Sequence, residues 1–224
     1  MLRRCATAAR VTVLAATMLA MLSACGAINT YKTPTILLKG QTQVLAALQI
    51  HGAQAAPEVA ASMPELAVGY RRGMAHNVEL GVSATILPLG DYLTAGSLEV
   101  AAKTSLWRHG RYQLAISGAV GYRIAVTSGA AFETVYAGVP LIGGVKLGNH
   151  LLVLSPLCSY QRIYASGARP VALPAAGVSV GAVLRLSQRW DLMPEVMWSG
   201  SPTRNFMSGT SELFHAGIAF AYRR

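Results

Sequence analysis

The stretch Arg111-Tyr112-Gln113-Leu114-Ala115-Ile116-Ser117-Gly118-Ala119-Val120-Gly121-Tyr122-Arg123-Ile124 decides the fold. Every second residue from Tyr112 gives Tyr, Leu, Ile, Gly, Val, Tyr and Ile. The residues between them are Arg, Gln, Ala, Ser, Ala, Gly and Arg. Side chains of a β-strand point alternately to its two faces, so this is a strand with one apolar face and one polar or small face. A helix would instead gather its apolar residues three and four apart. Similar two-faced runs occur near 36–51, 65–72, 78–87, 96–107, 133–147, 151–164, 176–187, 190–199 and 213–223. That makes about ten strands, each near the ~9–11 residues that a tilted strand needs to cross a bilayer. Pro140, Pro156 and Pro194 fall inside these runs, where each removes a ladder donor.

The connections alternate. Short turns rich in Gly, Asn and Ser fall at Gly73–Asn77, Arg108–Gly110, Gly148–His150 and Ser187–Arg189, with the residues that tight turns favour. Longer links are expected near 52–64, 88–95, 125–132, 165–175 and 200–212. An antiparallel up-and-down transmembrane barrel with short turns at one end and longer loops at the other has this pattern. An even strand number puts both ends of the barrel on the short-turn side.

Composition agrees. Charged residues are 12% of the chain, its mean hydropathy is +0.40, and it holds 22 glycines. After Cys25 no stretch is long enough for a spanning helix. A chain that is apolar overall without long apolar runs suits a membrane β-barrel.

On the apolar faces, Tyr70, Tyr112, Trp190 and Tyr222 lie beside short turns or the C-terminus, and Tyr122, Tyr160, Trp198 and Phe214 lie near the longer links. These form two girdles. The spacing from Trp190 to Trp198 or from Phe214 to Tyr222, at ~3.3 Å per residue and a tilt near ~40°, spans roughly 20 Å, close to the height of a lipid-facing band. A soluble, lipocalin-like barrel with its aromatics in the core has the same alternation, and that alternative stays open at this stage.

The opposite faces carry Glu65, Arg71, Glu79, Glu99, Lys103, Arg111, Arg123, Lys146, Arg185, Asp191, Glu195 and His215. Six bases face five acids. A sign-selective channel would show rings of one sign, and charges taken out of water need partners. The expectation is a cross-lumen ion-pair network that plugs the barrel. A small-solute, porin-like pore is the alternative.

The last strand, His215-Ala216-Gly217-Ile218-Ala219-Phe220-Ala221-Tyr222, resembles the assembly signal of bacterial outer-membrane barrels, in which His215, Gly217, Phe220 and Tyr222 would be the matching positions. The chain departs from it by ending in Arg223-Arg224 instead of an aromatic residue. At the other end, Leu22-Ser23-Ala24-Cys25 follows Arg3, Arg4, Arg10 and an apolar stretch from Val11 to Leu22. It resembles the lipobox of bacterial lipoproteins. Residues 11–22 are too few for a spanning helix, and the small residues at their end argue for cleavage. The resemblance implies a signal peptide over 1–24, lipidation including palmitate at Cys25, a lipidated tether over 25–35 and the barrel over 36–224. Gly26, in place of an aspartate, implies sorting to the outer membrane.

Cysteine usage fits. Cys5 leaves with the signal and Cys25 takes lipid, so Cys158 stands alone, apolar and lipid-facing. One cysteine and five scattered histidines give no metal-ligand spacing, and no cofactor is expected. Removal of Arg3, Arg4 and Arg10 takes the formal net charge from +10 to +7. Arg72, Arg108, Arg189, Arg223 and Arg224 gather at the short-turn rim, where anionic headgroups attract bases. The expected partners are outer-membrane lipids and, during biogenesis, the barrel-assembly and lipoprotein-sorting machineries. No nucleic acid is expected, and the oligomeric state is left open.

An outer-membrane lipid-modifying enzyme or protease is the sharper alternative. His215 would sit near the outer rim, Ser208 and Ser211 in the preceding loop and Glu195 deeper in the barrel. A nucleophile and its base need hydrogen-bond reach, and none of those enzymes' local motifs is present.

Overall fold

The computed structural model describes residues 31–56, 59–89, 93–127, 130–165, 169–200 and 212–224. Residues 1–30 lie outside it, and with them the expected signal peptide, Cys5 and Cys25. So do Ser208 and Ser211.

Ten strands follow one another: β1 (Thr42–Ala56), β2 (Val59–Ala75), β3 (Val78–Leu89), β4 (Leu93–His109), β5 (Tyr112–Thr127), β6 (Ala130–Leu147), β7 (His150–Ala165), β8 (Val171–Arg185), β9 (Trp190–Gly200) and β10 (Glu212–Arg223). Each pairs antiparallel with the next, and β1 pairs with β10 from Gln43↔Arg223 to Gln54↔Glu212, closing the barrel. Closure leaves no strand edge unpaired, which a sheet inside lipid requires. Among the described residues no helix is long and apolar enough to cross a membrane, a fact that bears only on helices.

The faces resolve the choice between a soluble and a membrane barrel. Along β5, Gln113, Ala115, Ser117, Ala119 and Arg123 are buried, while Val120 is 60% exposed and Tyr122 and Ile124 are also exposed. The same holds around the barrel. Leu48, Leu66, Val68, Ile86, Leu98, Val139, Leu154 and Val180 face outward and exposed, whereas Gln49, Glu65, Glu99, Thr134, Gln161 and Asp191 are buried inside. An apolar exterior around a polar interior is stable only when lipid covers the outside.

The strands are longer than the alternation alone implied. They run from 11 residues in β9 to 18 in β6, and all but β9 exceed the ~9–11 that a bilayer requires. Most of 52–64, 88–95 and 125–132, expected as long links, is therefore strand. β1 reaches Ala56 and β2 starts at Val59, β3 reaches Leu89 and β4 starts at Leu93, and β5 reaches Thr127 before β6 starts at Ala130. Their Ala, Gly and Ser content reads as loop by composition. In a closed barrel, however, neighbours on both sides supply ladder partners, and strand propensity yields to context. The short turns fall where expected, with Gly110 (φ +56°) and Gly148 (φ +61°) in the left-handed conformation that glycine tolerates.

The three prolines leave gaps in the ladders. β5–β6 pairing passes from Ile116↔Leu141 to Ala119↔Gly138, skipping Pro140. β6–β7 passes from Pro140↔Leu157 to Gly143↔Leu154, skipping Pro156. β8–β9 passes from Gly181↔Glu195 to Leu184↔Leu192, skipping Pro194. Each proline stays paired on its other side, so the barrel keeps its closure.

One expectation fails at the start of the barrel. Residues 36–41, expected as the start of the first strand, are not part of it, and residues 31–35, expected within the lipidated tether, are placed against the barrel interior. The chain turns at Leu38–Gln41 beside Gly73, with Gly40 N donating to Gly73 O at 2.9 Å and Gly73 N donating to Gln41 O at 3.0 Å. Ahead of that turn, Tyr31–Leu37 lies inside the barrel. Tyr31, Lys32, Pro34, Ile36 and Leu37 are all buried.

Candidate functional site: a lumen filled by its own chain

A barrel of eight strands is just wide enough for side chains to fill, and diameter grows with strand number. Ten strands leave room for more, and Tyr31–Leu37 occupies it, bending once at Pro34. Its two sides meet different walls. On the β2–β5 side the wall is charged. Lys103 of β4 donates from Nζ to the carbonyls of Thr33 (2.9 Å) and Thr35 (3.0 Å). Arg71 of β2 donates from Nη2 to the Tyr31 carbonyl. The backbone N–H of Leu37 donates to Glu79 Oε2 at 3.1 Å, and Thr35 Oγ1 donates to Gln113 Oε1 at 2.9 Å. Lys32 Nζ lies 3.3 Å from Glu99 Oε1.

The segment also meets apolar side chains of the wall. Tyr31 joins a buried cluster with Leu45, Ala47, Ala67, Ile142, Val183 and Met193, among others. Two glycines make the fit. A Cβ on Gly144 of β6 would strike the Pro34 ring, and one on Gly217 of β10 would overlap the Tyr31 hydroxyl. Gly217 therefore has a packing reason in addition to its place in the C-terminal motif.

Beyond the Tyr31 end is a second buried cluster. Glu65, 0% exposed, takes a 2.8 Å bond from Arg123 Nη2, a 2.7 Å bond from Gln49 Nε2 and a 2.6 Å contact from His51 Nε2. Arg123 on β5 reaches β2 past β3 and β4. His215 sits against this cluster, its ring edge-on to His51 at 4.6 Å and tilted to Tyr31 at 5.9 Å. Neither of its ring nitrogens has a hydrogen-bond partner among the described residues. His215 is thus a buried lumen residue, opposite His51 and Met197 in register, and not a residue of the open rim.

The expected lumen residues divide. Glu65, Arg71, Glu79, Glu99, Lys103, Arg123, Asp191, Glu195 and His215 are buried inside. Glu79 and Lys103 are register partners on adjacent strands, 2.9 Å apart, so theirs is a cross-strand pair. Arg111, Lys146 and Arg185 are exposed at the short-turn end. Arg111 lies over the Tyr112 ring and donates to its hydroxyl at 2.9 Å. Arg185 Nε is 3.5 Å from Asp191. Beside turns, such long side chains reach water while their stems stay on the barrel. Arg223, expected with the rim arginines, instead turns to Asp191 at 2.8 Å. Arg185, Asp191 and Arg223, with Lys146, Glu79 and Thr33, line a cavity of about 260 Å³ at the short-turn mouth.

Sequence reading missed Tyr31, Lys32, His51 and Gln49, and it placed Gln113 on the inward face without giving it a partner. His51 and Gln49 obey the inward parity of β1, a signal within reach. Tyr31 and Lys32 precede every alternating run, and no pattern marked them.

The girdle residues Tyr70, Tyr112, Trp190, Tyr122, Tyr160, Trp198 and Phe214 are exposed, and Tyr222 is partly so. Trp190 and Tyr222 are register partners with ring centroids 5.0 Å apart, and Trp198 and Phe214 are partners at 5.6 Å. Phe220 points outward and Cys158 is exposed among the outer residues.

No protein-family model matches the sequence, and no curated protein sequence matches it. Solved structures do match. An outer membrane channel from Pseudomonas putida F1 superposes with a TM-score of 0.53 at 10% identity, over 88% of this chain and 99% of that one. The outer membrane protease OmpT from Escherichia coli gives 0.49 at 8% identity, over 87% and 99%. Neisserial surface protein A gives 0.44 at 11%, over 82% and 99%. At these identities the likeness concerns architecture alone. The chain has the fold of the bacterial outer-membrane β-barrels: closed, antiparallel, up-and-down and ten-stranded.

Proposed function

We propose that this chain is a lipid-anchored outer-membrane β-barrel with a plugged lumen, serving as a structural or surface-binding protein. The observation that carries this reading is the buried passage of Tyr31–Leu37 through the lumen, tied to Arg71, Glu79, Glu99 and Lys103. A solute would have to displace a chain segment and break several charged contacts to pass. The outward belt of aliphatic residues between two aromatic girdles supports outer-membrane lipids as its surroundings. Anchoring rests on the lipobox resemblance at Cys25. The barrel-assembly and lipoprotein-sorting machineries would act on the chain during biogenesis, and the loop end would meet whatever the protein binds.

A small-solute pore is the second reading. The cavity of about 260 Å³ at the short-turn mouth, lined by Lys146, Arg185, Asp191 and Arg223, favours it as the beginning of a water path. Planar-bilayer recording of the refolded full-length protein separates the two. Silence is expected from the plugged barrel. Steady conductance steps from the unaltered chain would overturn the plugged reading in favour of the pore.

A further inference from the structure

We infer that the lumen is an exchangeable binding site for an extended polypeptide segment, filled in cis by Tyr31–Leu37. The inference rests on the plugged reading above and identifies the class of ligand that the interior takes.

The contacts are those that any peptide backbone presents. Alternate carbonyls, those of Tyr31, Thr33 and Thr35, go to the cations Arg71 and Lys103, and one amide, that of Leu37, goes to the carboxylate of Glu79. Side chains of the barrel thus read main-chain groups of the segment at a two-residue period, as a groove for an extended peptide does. Side-chain choice is made elsewhere. Glu99 takes a cation at Lys32, Gln113 takes a hydroxyl at Thr35, the space over Gly144 takes the Pro34 ring, and the space over Gly217 takes the Tyr31 phenol.

The segment is bound without being woven into the sheet. The β1–β10 and β1–β2 ladders begin at Gln43 and Thr42. The backbone-to-backbone bonds that fasten this end of the chain to β2 come at Gly40 and Gln41. Withdrawal of Tyr31–Leu37 therefore breaks side-chain contacts and leaves all ten strand pairings intact. A second peptide of matching chemistry, with an aromatic, a cation, a proline and a hydroxyl at the places of Tyr31, Lys32, Pro34 and Thr35, has the same contacts available once the segment has left. Such a peptide would come from another chain segment reaching the short-turn mouth.

The test uses the full-length chain in planar bilayers, and the variant expected to conduct carries changes in the segment alone, so that its barrel walls are untouched. Tyr31→Ala combined with Lys32→Glu and Pro34→Gly weakens the cis segment, and stable conductance steps are expected. Folding of this variant is checked by its heat-modifiable band on cold gels. A synthetic peptide with the sequence of residues 31–39 should then close the steps. The same peptide carrying Glu and Gly at the positions of Lys32 and Pro34 should need at least about tenfold more. Added to that variant in a Cys158→Ser background, a disulfide between Thr35→Cys and Gln113→Cys should hold the segment in place and abolish conductance until it is reduced. A folded variant that conducts but ignores the peptide at millimolar concentration overturns the inference, as does a folded variant that stays silent. Conductance from the unaltered chain would be the failure of the plugged reading itself.

Discussion

Gly217 of β10 faces the phenol oxygen of Tyr31 so closely that a methyl group at Gly217 would overlap it. A residue of the last strand and a residue ahead of the first are thus fitted to each other across the lumen. Gly217→Ala should destabilise the folded barrel by about 1–3 kcal/mol, the usual cost of overpacking. Gly217→Ala combined with Tyr31→Ala should recover part of it. Urea midpoints of the heat-modifiable band measure both. Equal loss with and without the Tyr31 change would mean that the overlap that matters is with Gln49 and Leu48 of β1 and not with Tyr31.

Glu65 neutralises Arg123 while contacting His51 and Gln49, all of them buried. Removing one partner of a buried pair leaves the other charge uncompensated, at a cost of about 3–5 kcal/mol. Glu65→Leu should therefore be severe. Glu65→Leu with Arg123→Met should cost much less than the sum of the two single changes, because no lone charge remains. Additive losses in urea titrations of the four proteins would refute this coupling.

Val180 is 46% exposed on the outer face, and its neighbour Ser179 is 2% exposed inside. An arginine on the lipid face near mid-depth costs roughly 2–4 kcal/mol. Val180→Arg should lower bilayer stability by that amount, and Val180→Leu should be close to neutral. Cooperative folding of the unaltered chain in detergent-free buffer would contradict a lipid-facing exterior.

His76 lies in the turn between β2 and β3, at the end where β1 begins and β10 finishes. Arg169 lies at the opposite end, between β7 and β8, and both are exposed. In a Cys158→Ser background, Arg169→Cys should react with an impermeant maleimide on intact cells, and His76→Cys should react only after lysis. The reverse pattern would invert the barrel.

Cys25 precedes the described residues, and its lipidation is the part of the proposed function that rests on the lipobox resemblance. Cys25→Ala should abolish incorporation of labelled palmitate and leave the signal uncleaved on gels. Equal label in both chains would remove the lipid anchor from the proposed function.

Strand number, outward and inward parity, both girdles and the short turns were readable because they depend on a local period of two. That period survives whatever the partner strands do, since neighbouring side chains on one strand must face opposite sides. Val180 outside and Ser179 inside follow from it, as do Glu65, Glu99 and Arg123 inside. The same local rule reads His51 and Gln49 as inward, although it says nothing of the carboxylate that they share.

Tertiary structure alone decided what fills the lumen. Tyr31–Leu37 has no alternation and makes no ladder. Its position is set by Lys103, Arg71 and Glu79, which are distant in sequence and meet only when ten strands close into a ring. Closure also decided how far the strands run, because Ala- and Gly-rich ends such as 52–56 become strand only when β2 and β10 lie on either side. It left Arg111, Lys146 and Arg185 in water at the mouth, although their parity matches that of buried neighbours. Inside or outside is a property of one strand, whereas depth and partnership belong to the whole barrel.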